Sequence, residues 1–193
     1  MPDLRILGGS AKGRSLKIPS TARPTPARVR KSLFDLLEVH FGAGSSLLDL
    51  CAGSGAVGLE AASRDFVVTM VEKDVKATEI LEKNKRELKM DAKIIRADAL
   101  KFLESAPSYD IIFLDPPYTE NLEQITLKAL ALAKLEPEGV LISQHPIQIR
   151  LPTITGFKLE RRVYGSNVLS LYWSEEKEIT NEPPHHSAQD VLE

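Results

Sequence analysis

Leu47-Leu48-Asp49-Leu50-Cys51-Ala52-Gly53-Ser54-Gly55-Ala56-Val57-Gly58 decides how the rest of this 193-residue chain is read. An apolar run carries one acid, enters a glycine-rich turn and continues into a helical pattern. Gly53, Gly55 and Gly58 have the spacing G-x-G-x-x-G, which marks a tight strand-to-helix turn whose backbone can approach a ligand closely. That spacing alone is shared by nicotinamide and flavin enzymes. Three details favour S-adenosylmethionine (SAM). Asp49 stands just before the turn, where it can meet a cationic group through an amide or a water. The glycines admit a methionine moiety. The helix that follows has no Arg or Lys at its start to anchor a pyrophosphate.

Working outward from the turn, strand and helix alternate. Strands are expected over 47–50, 66–71, 92–96, 111–114 and 140–143, and helices over 57–63, 75–88, 99–104 and 122–133. Such alternation calls for a parallel sheet covered on both faces. The segments 157–164 and 168–173 flank Gly165-Ser166-Asn167 and read as an antiparallel hairpin. A parallel sheet closed this way resembles the α/β, seven-stranded, Rossmann-like fold of SAM-dependent methyltransferases. Upstream, 4–7 and 15–18 are strand-like around a glycine-rich turn, so a small hairpin is expected. Thr25 is expected as N-cap and Pro26 as the first residue of the next helix. Val29, Leu33, Leu36 and Leu37 would form its buried stripe, with Arg28 and Lys31 on or near the opposite side. The organisation expected is a basic hairpin and helix over 1–44, a cofactor-binding catalytic domain over 45–174, and a disordered tail over 175–193.

Acids recur at the ends of the expected strands. Glu72 follows 66–71 and can accept two ribose hydroxyls. Asp98 follows 92–96, where it can accept from an adenine amino group while the Ala99 N–H donates to the ring. It can also cap the helix that begins at Ala99. Cofactor contacts are therefore expected at Asp49, Ala52, Gly53, Ser54, Gly55, Glu72, Lys73, Asp98 and Ala99.

Ile111-Ile112-Phe113-Leu114 leads directly into Asp115-Pro116-Pro117-Tyr118. In open α/β sheets ligands bind outside the carboxyl ends of the strands. The exocyclic amine of a nucleobase is a poor nucleophile because its lone pair is delocalised into the ring. An acceptor that holds the N–H bonds out of plane localises that pair and later helps remove a proton. Asp115 supplies one acceptor and the Pro116 carbonyl a second. Pro116 and Pro117 restrict the loop, and Tyr118 can stack on the base. These four residues are the expected catalytic set, and the chemistry requires no metal.

Charge is unevenly distributed. The net charge is −2, yet residues 1–40 hold eight basic against three acidic side chains, so that arm is +5 and the rest −7. A basic arm on an acidic body points to a polyanion. At this point the sequence resembles the RsmD-type 16S ribosomal RNA guanine-N2 methyltransferases, from about Arg5 to Trp173. The carriers are Arg5-Ile6-Leu7-Gly8-Gly9, Lys12-Gly13-Arg14, Arg23-Pro24-Thr25, Arg28-Val29-Arg30, the glycine-rich turn through Ala61, and Phe113 to Tyr118. The resemblance implies SAM as cofactor and 16S rRNA, within a small-subunit assembly particle, as partner. RNA contacts are expected at Arg5, Lys12, Arg14, Arg23, Thr25, Arg28, Arg30 and Lys31. One departure is Ser143-Gln144-His145, where the family pattern leads us to expect an acid.

Other readings are a DNA adenine-N6 methyltransferase, a non-catalytic RNA-binding assembly factor, and a nicotinamide-dependent oxidoreductase. The first usually needs a further DNA-reading domain. A lone cysteine, Cys51, forms no internal disulfide and is expected to pack rather than react. No apolar run reaches the roughly 20 residues of a membrane span, and the first residues lack a signal-peptide layout. A cytoplasmic monomer is expected. Trp173 is expected in the core, and no shared spacing links the four histidines.

Overall fold

The computed structural model describes residues 4–19, 25–116, 122–132 and 134–175. Among these described residues, five helices and seven strands follow in the order α1 Ala27–His40, β1 Ser46–Leu50, α2 Gly58–Ala62, β2 Val67–Glu72, α3 Val75–Leu88, β3 Lys93–Arg96, α4 Ala99–Ser105, β4 Tyr109–Leu114, α5 Leu122–Ala131, β5 Leu135–Pro146, β6 Phe157–Tyr164 and β7 Asn167–Ser174. The strands form one sheet in the order β3-β2-β1-β4-β5-β7-β6. The β1–β2, β1–β4, β2–β3 and β4–β5 pairs are parallel, and β7 runs antiparallel to both β5 and β6. This is the expected parallel sheet with its C-terminal hairpin. The hairpin turns through Gly165 and Ser166, with Tyr164 opposite Asn167 and Gly165 at φ 62°. A two-residue turn with a glycine at positive φ matches the twist of the flanking strands.

Each face of the sheet carries its own apolar layer. One layer joins Leu33, Phe34 and Leu37 of α1 and Leu81 and Leu88 of α3 to Leu47, Met70, Phe113, Ile142 and Leu169. The other joins Leu103 of α4 and Ile125 and Ala129 of α5 to Leu48, Leu50, Ile112, Leu114, Leu141 and Tyr172. The alternation Phe113/Leu114 and Leu141/Ile142 between layers is the period-two pattern of strands. Leu4, Ile6 and Leu16 lie in the first layer, so the N-terminal segment shares the core of the sheet. Trp173 packs at the edge of that layer, stacked on Phe41 at 6.2 Å.

Three local expectations change. The N-terminal hairpin is pared to one antiparallel bridge, Arg5 to Ser15, with flanking bonds Ile6 N–H to Arg14 O at 3.0 Å and Leu16 N–H to Leu4 O at 2.7 Å. Pro26, not Thr25, stands at the N-cap of α1, with no side-chain cap. The Thr25 hydroxyl is engaged elsewhere, as shown below. Finally, β5 begins at Leu135 rather than at residue 140. Its first residue, Leu135, pairs with Tyr109, and the register then shifts before Ile111 pairs with Val140, with Glu138 at φ 61°. The exposed polar stretch Glu136-Pro137-Glu138 hides this extension from a hydrophobicity pattern. Among the described residues no helix is long and apolar enough to cross a membrane.

Candidate active site at the strand ends

The last β1–β4 pair is Leu50 with Leu114. The glycine-rich turn and Asp115 therefore leave the sheet side by side, at its carboxyl edge. Asp49 is buried one residue before the end of β1, and its Oδ2 accepts the Gly58 N–H at 2.8 Å. A Cβ on Gly58 would press on Met70 and on that same carboxylate. Burial pushes the Asp49 carboxyl up to about 8. The Gly58 N–H opposes the shift, and the charges of Asp115 and Glu72 add to it. Three acids thus converge on one turn, an arrangement that favours a cation.

Glu72 ends β2 and reaches across to the same turn. Its Oε2 accepts the Gly53 N–H at 2.8 Å and its Oε1 the Asp74 N–H at 2.9 Å. Each carboxylate oxygen offers about two acceptor sites, so these bonds aim the group and leave capacity for hydroxyl donors. From the other side, Asn84 of α3 donates to Ser54 O at 3.0 Å and to Lys17 O at 2.8 Å, and accepts the Lys17 N–H at 2.9 Å. One buried amide therefore ties the turn to the N-terminal segment. Cys51, half-buried, opens the turn at φ 65°. A non-glycine residue there stores strain of the sort found at ligand clamps. Asp98 is the N-cap of α4, and its Oδ1 accepts both Leu100 N–H at 3.0 Å and Lys101 N–H at 3.1 Å. Ala52, Ser54, Gly55 and Ala99 are buried, Gly53 is half-buried, and Lys73 is exposed.

Asp115 is half-buried and Pro116 buried. The Thr25 hydroxyl donates to Asp115 Oδ2 at 3.2 Å. Buried just before α1, Thr25 thus serves the acid at the end of β4, 90 residues away in sequence. Pro117 and Tyr118, and the expected RNA contact Arg23, lie outside the described residues.

The remaining basic residues divide. Arg5, Lys12, Arg14, Arg28 and Lys31 are exposed. Lys31 pairs with Asp35 at 2.7 Å, and Arg14 donates to the backbone carbonyls of Glu87 and Leu88 at the end of α3. Arg30 corrects the sequence reading, because it points inward with 1% exposure. It donates to Arg5 O at 3.0 Å and pairs with Glu60 Oε2 at 3.4 Å. A side chain so enclosed offers no surface to a polyanion. Glu60, fully buried, also accepts the Leu7 N–H and two nitrogens of Arg64. Glu60 and Asn84 escaped the sequence reading, and Gln144 entered it only as part of Ser143-Gln144-His145, where an acid is expected. Of the first two, only Glu60 had a signal, as an acid on the apolar side of the short helix after the turn.

A seven-stranded sheet in this order, with a glycine-rich turn after β1 and an acid after β4, defines a Rossmann-like methyltransferase class. The fold is shared with a methyltransferase structure from Pyrococcus furiosus, 18% identical over 84% of this chain and 89% of that one, at a TM-score of 0.65. Residues 4–173 match the family described as Conserved hypothetical protein 95, and the chain belongs to that family, the RsmD type. It is 34% identical over 180 residues to ribosomal RNA small subunit methyltransferase D of Escherichia coli K12, covering 89% of this chain and 90% of that protein. The structure of a hypothetical protein from Thermus thermophilus superposes at a TM-score of 0.81, with 42% identity over 86% of this chain and 97% of the other.

Proposed function

We propose that this chain is a SAM-dependent methyltransferase that modifies the exocyclic N2 of one guanine in 16S rRNA, acting as a monomer on an assembling small-subunit particle in the cytoplasm. The observation that carries the reading is Asp115, fixed by the Thr25 hydroxyl and set beside the glycine turn. The family relationship to rRNA methyltransferase D supports the RNA substrate.

The residues suit a sulfonium cofactor. The charges of Glu72 and Asp115 bear on the protonated Asp49 carboxyl, and a cation seated among the three acids would be favoured by that field and would draw off the Asp49 proton. Asp98 binds the start of α4 through Oδ1, and its Oδ2 has no hydrogen bond among the described residues. Bound there, SAM supplies an electrophilic methyl group. Asp115 and the Pro116 carbonyl accept the two N2–H bonds of the base and turn the nitrogen lone pair out of the ring plane. Methylation leaves one proton to dispose of, and the Asp115 carboxylate receives it. Holding both partners in line contributes most of the rate expected from such a site.

The test is tritium transfer from methyl-labelled SAM to small-subunit particles and naked rRNA from cells lacking this chain, followed by nucleoside analysis. Label in N2-methylguanosine is the expected result. Label in N6-methyladenosine of DNA, or none on any RNA, overturns the reading.

A further inference from the structure

Gln144 stands on β5 with 4% exposure, and its Oε1 is buried without a hydrogen-bond partner among the described residues. An unmet buried acceptor costs stability comparable to a lost hydrogen bond. Position says what it awaits. In the parallel β4–β5 ladder Phe113 pairs with Ile142 and Leu114 with Ser143. The next step sets Asp115 level with Gln144. Phe113 and Ile142 belong to the α1-side layer, so by strand alternation Asp115 and Gln144 share that face. Thr25, at the start of α1, confirms the side by bonding Asp115. The acid and the amide therefore flank the same point at the sheet's carboxyl edge.

We infer that Gln144 reads the Watson–Crick edge of the target base, its Oε1 accepting the guanine N1–H and its Nε2 donating to O6 while Asp115 holds the neighbouring N2. An unstacked base is read by such edge contacts. A side-chain amide alone offers one acceptor and two donors in the order that this edge requires. An adenine whose amine sat at Asp115 would present the unprotonated N1 to Gln144, and the buried Oε1 would stay unmet. The amide thus makes guanine the base that completes the pocket. This inference rests on the guanine-N2 reading given above.

The decisive experiment replaces the mapped target guanosine, in whichever rRNA form the wild type methylates, with 2-aminopurine. That base keeps the N2 amine but lacks both N1–H and O6. Wild type is expected to methylate it with a kcat/KM lower by about 10- to 100-fold, the range of one bidentate base contact. Gln144→Leu and Gln144→Met are expected to lose a similar factor on guanosine and less than about threefold on 2-aminopurine, with SAM affinity unchanged. A side chain that only packs would lower both substrates alike, and that result overturns the inference. So does a wild-type enzyme that treats the two bases equally, a comparison that needs no variant to fold. Methylation at an atom other than guanine N2 instead overturns the parent reading, and this inference falls with it.

Discussion

Asp49 and Asp115 lie at the same sheet edge but in different surroundings. Asp49 is enclosed, with burial pushing its carboxyl up from 3.8 to about 8, whereas Asp115 is half-buried and takes the Thr25 hydroxyl. An acid with a raised folded-state pKa keeps a proton that the unfolded chain has released. Its contribution is therefore lost as pH rises from 3.8 toward 8, and it levels off above that. Asp49→Asn stays neutral and can still accept from Gly58. Urea unfolding at about pH 5 and about pH 9 should show wild type losing up to roughly 4 kcal/mol across that interval and the variant losing little. Equal losses would remove Asp49 as the source. A cation bound nearby should also expel that proton, so calorimetry of SAM binding near neutral pH in buffers of different ionisation enthalpy should register proton release. Asp115→Asn preserves size and an acceptor but removes the proton-accepting carboxylate. A kcat lower by about 10²- to 10⁴-fold with SAM affinity within about threefold is expected, measured by single-turnover methyl transfer.

At the scale of elements, a buried ionic hub holds the N-terminal segment to the sheet. Glu60 of α2 accepts Leu7 N–H at 2.6 Å, pairs with Arg30 of α1 at 3.4 Å and with Arg64 at 2.7 Å. Arg64 lies 4.8 Å over the Phe34 ring and also pairs with Glu38. Ser63 adds a second tie, accepting Ala11 N–H at 2.8 Å and donating to Gly8 O at 2.7 Å. Removing one partner of a buried pair strands the other charge, at about 3–5 kcal/mol. Glu60→Gln should therefore lower Tm by roughly 10 °C, and hydrogen exchange at Leu7 and Ala11 should quicken. An unchanged Leu7 amide would show that the hub does not dock the segment. Helix α3 was legible to its ends because Asp74 caps it, accepting from Ala77 at 2.7 Å, and its apolar stripe is regular. The turn, the acids at the ends of β1 and β2 and those just after β3 and β4 were legible because each adjoins a strand-like run. Long-range polar partners were not. Thr25 reads locally as a cap, and only the fold shows its bond to Asp115. Arg30 reads as surface charge, although it precedes Leu33 and Phe34 by three and four residues and so shares their face. Gln144 stood out in the sequence only by replacing an expected acid, since what it faces is set by a neighbouring strand.

Over the whole molecule, two of the exposed basic residues, Arg28 and Lys31, stand on the site's side because α1 starts beside it, whereas Arg14 reaches the far end of α3. Thr25 touches Asp115, and Arg28 and Lys31 follow within two turns, both exposed. The acidic remainder of the chain, at −7, repels a polyanion from other surfaces and so helps orient it. Contacts to phosphates release counterions, and each single-strand phosphate neutralised contributes about −0.7 to the slope of log K against log salt. Arg28→Ala combined with Lys31→Ala should therefore flatten that slope by about 1.4, in filter binding of a small-subunit rRNA fragment between roughly 50 and 200 mM KCl. Lys31 is already paired with Asp35, and an exposed ion pair is weak enough to exchange for a phosphate. Arg30→Met, by contrast, should leave the slope unchanged while lowering stability, because that guanidinium faces Glu60 and not the solvent. If Arg30→Met flattened the slope as much as the surface pair does in a variant that melts normally, the inward guanidinium would have to turn outward on binding RNA, and the division of this arm into docking and contacting charges would be wrong.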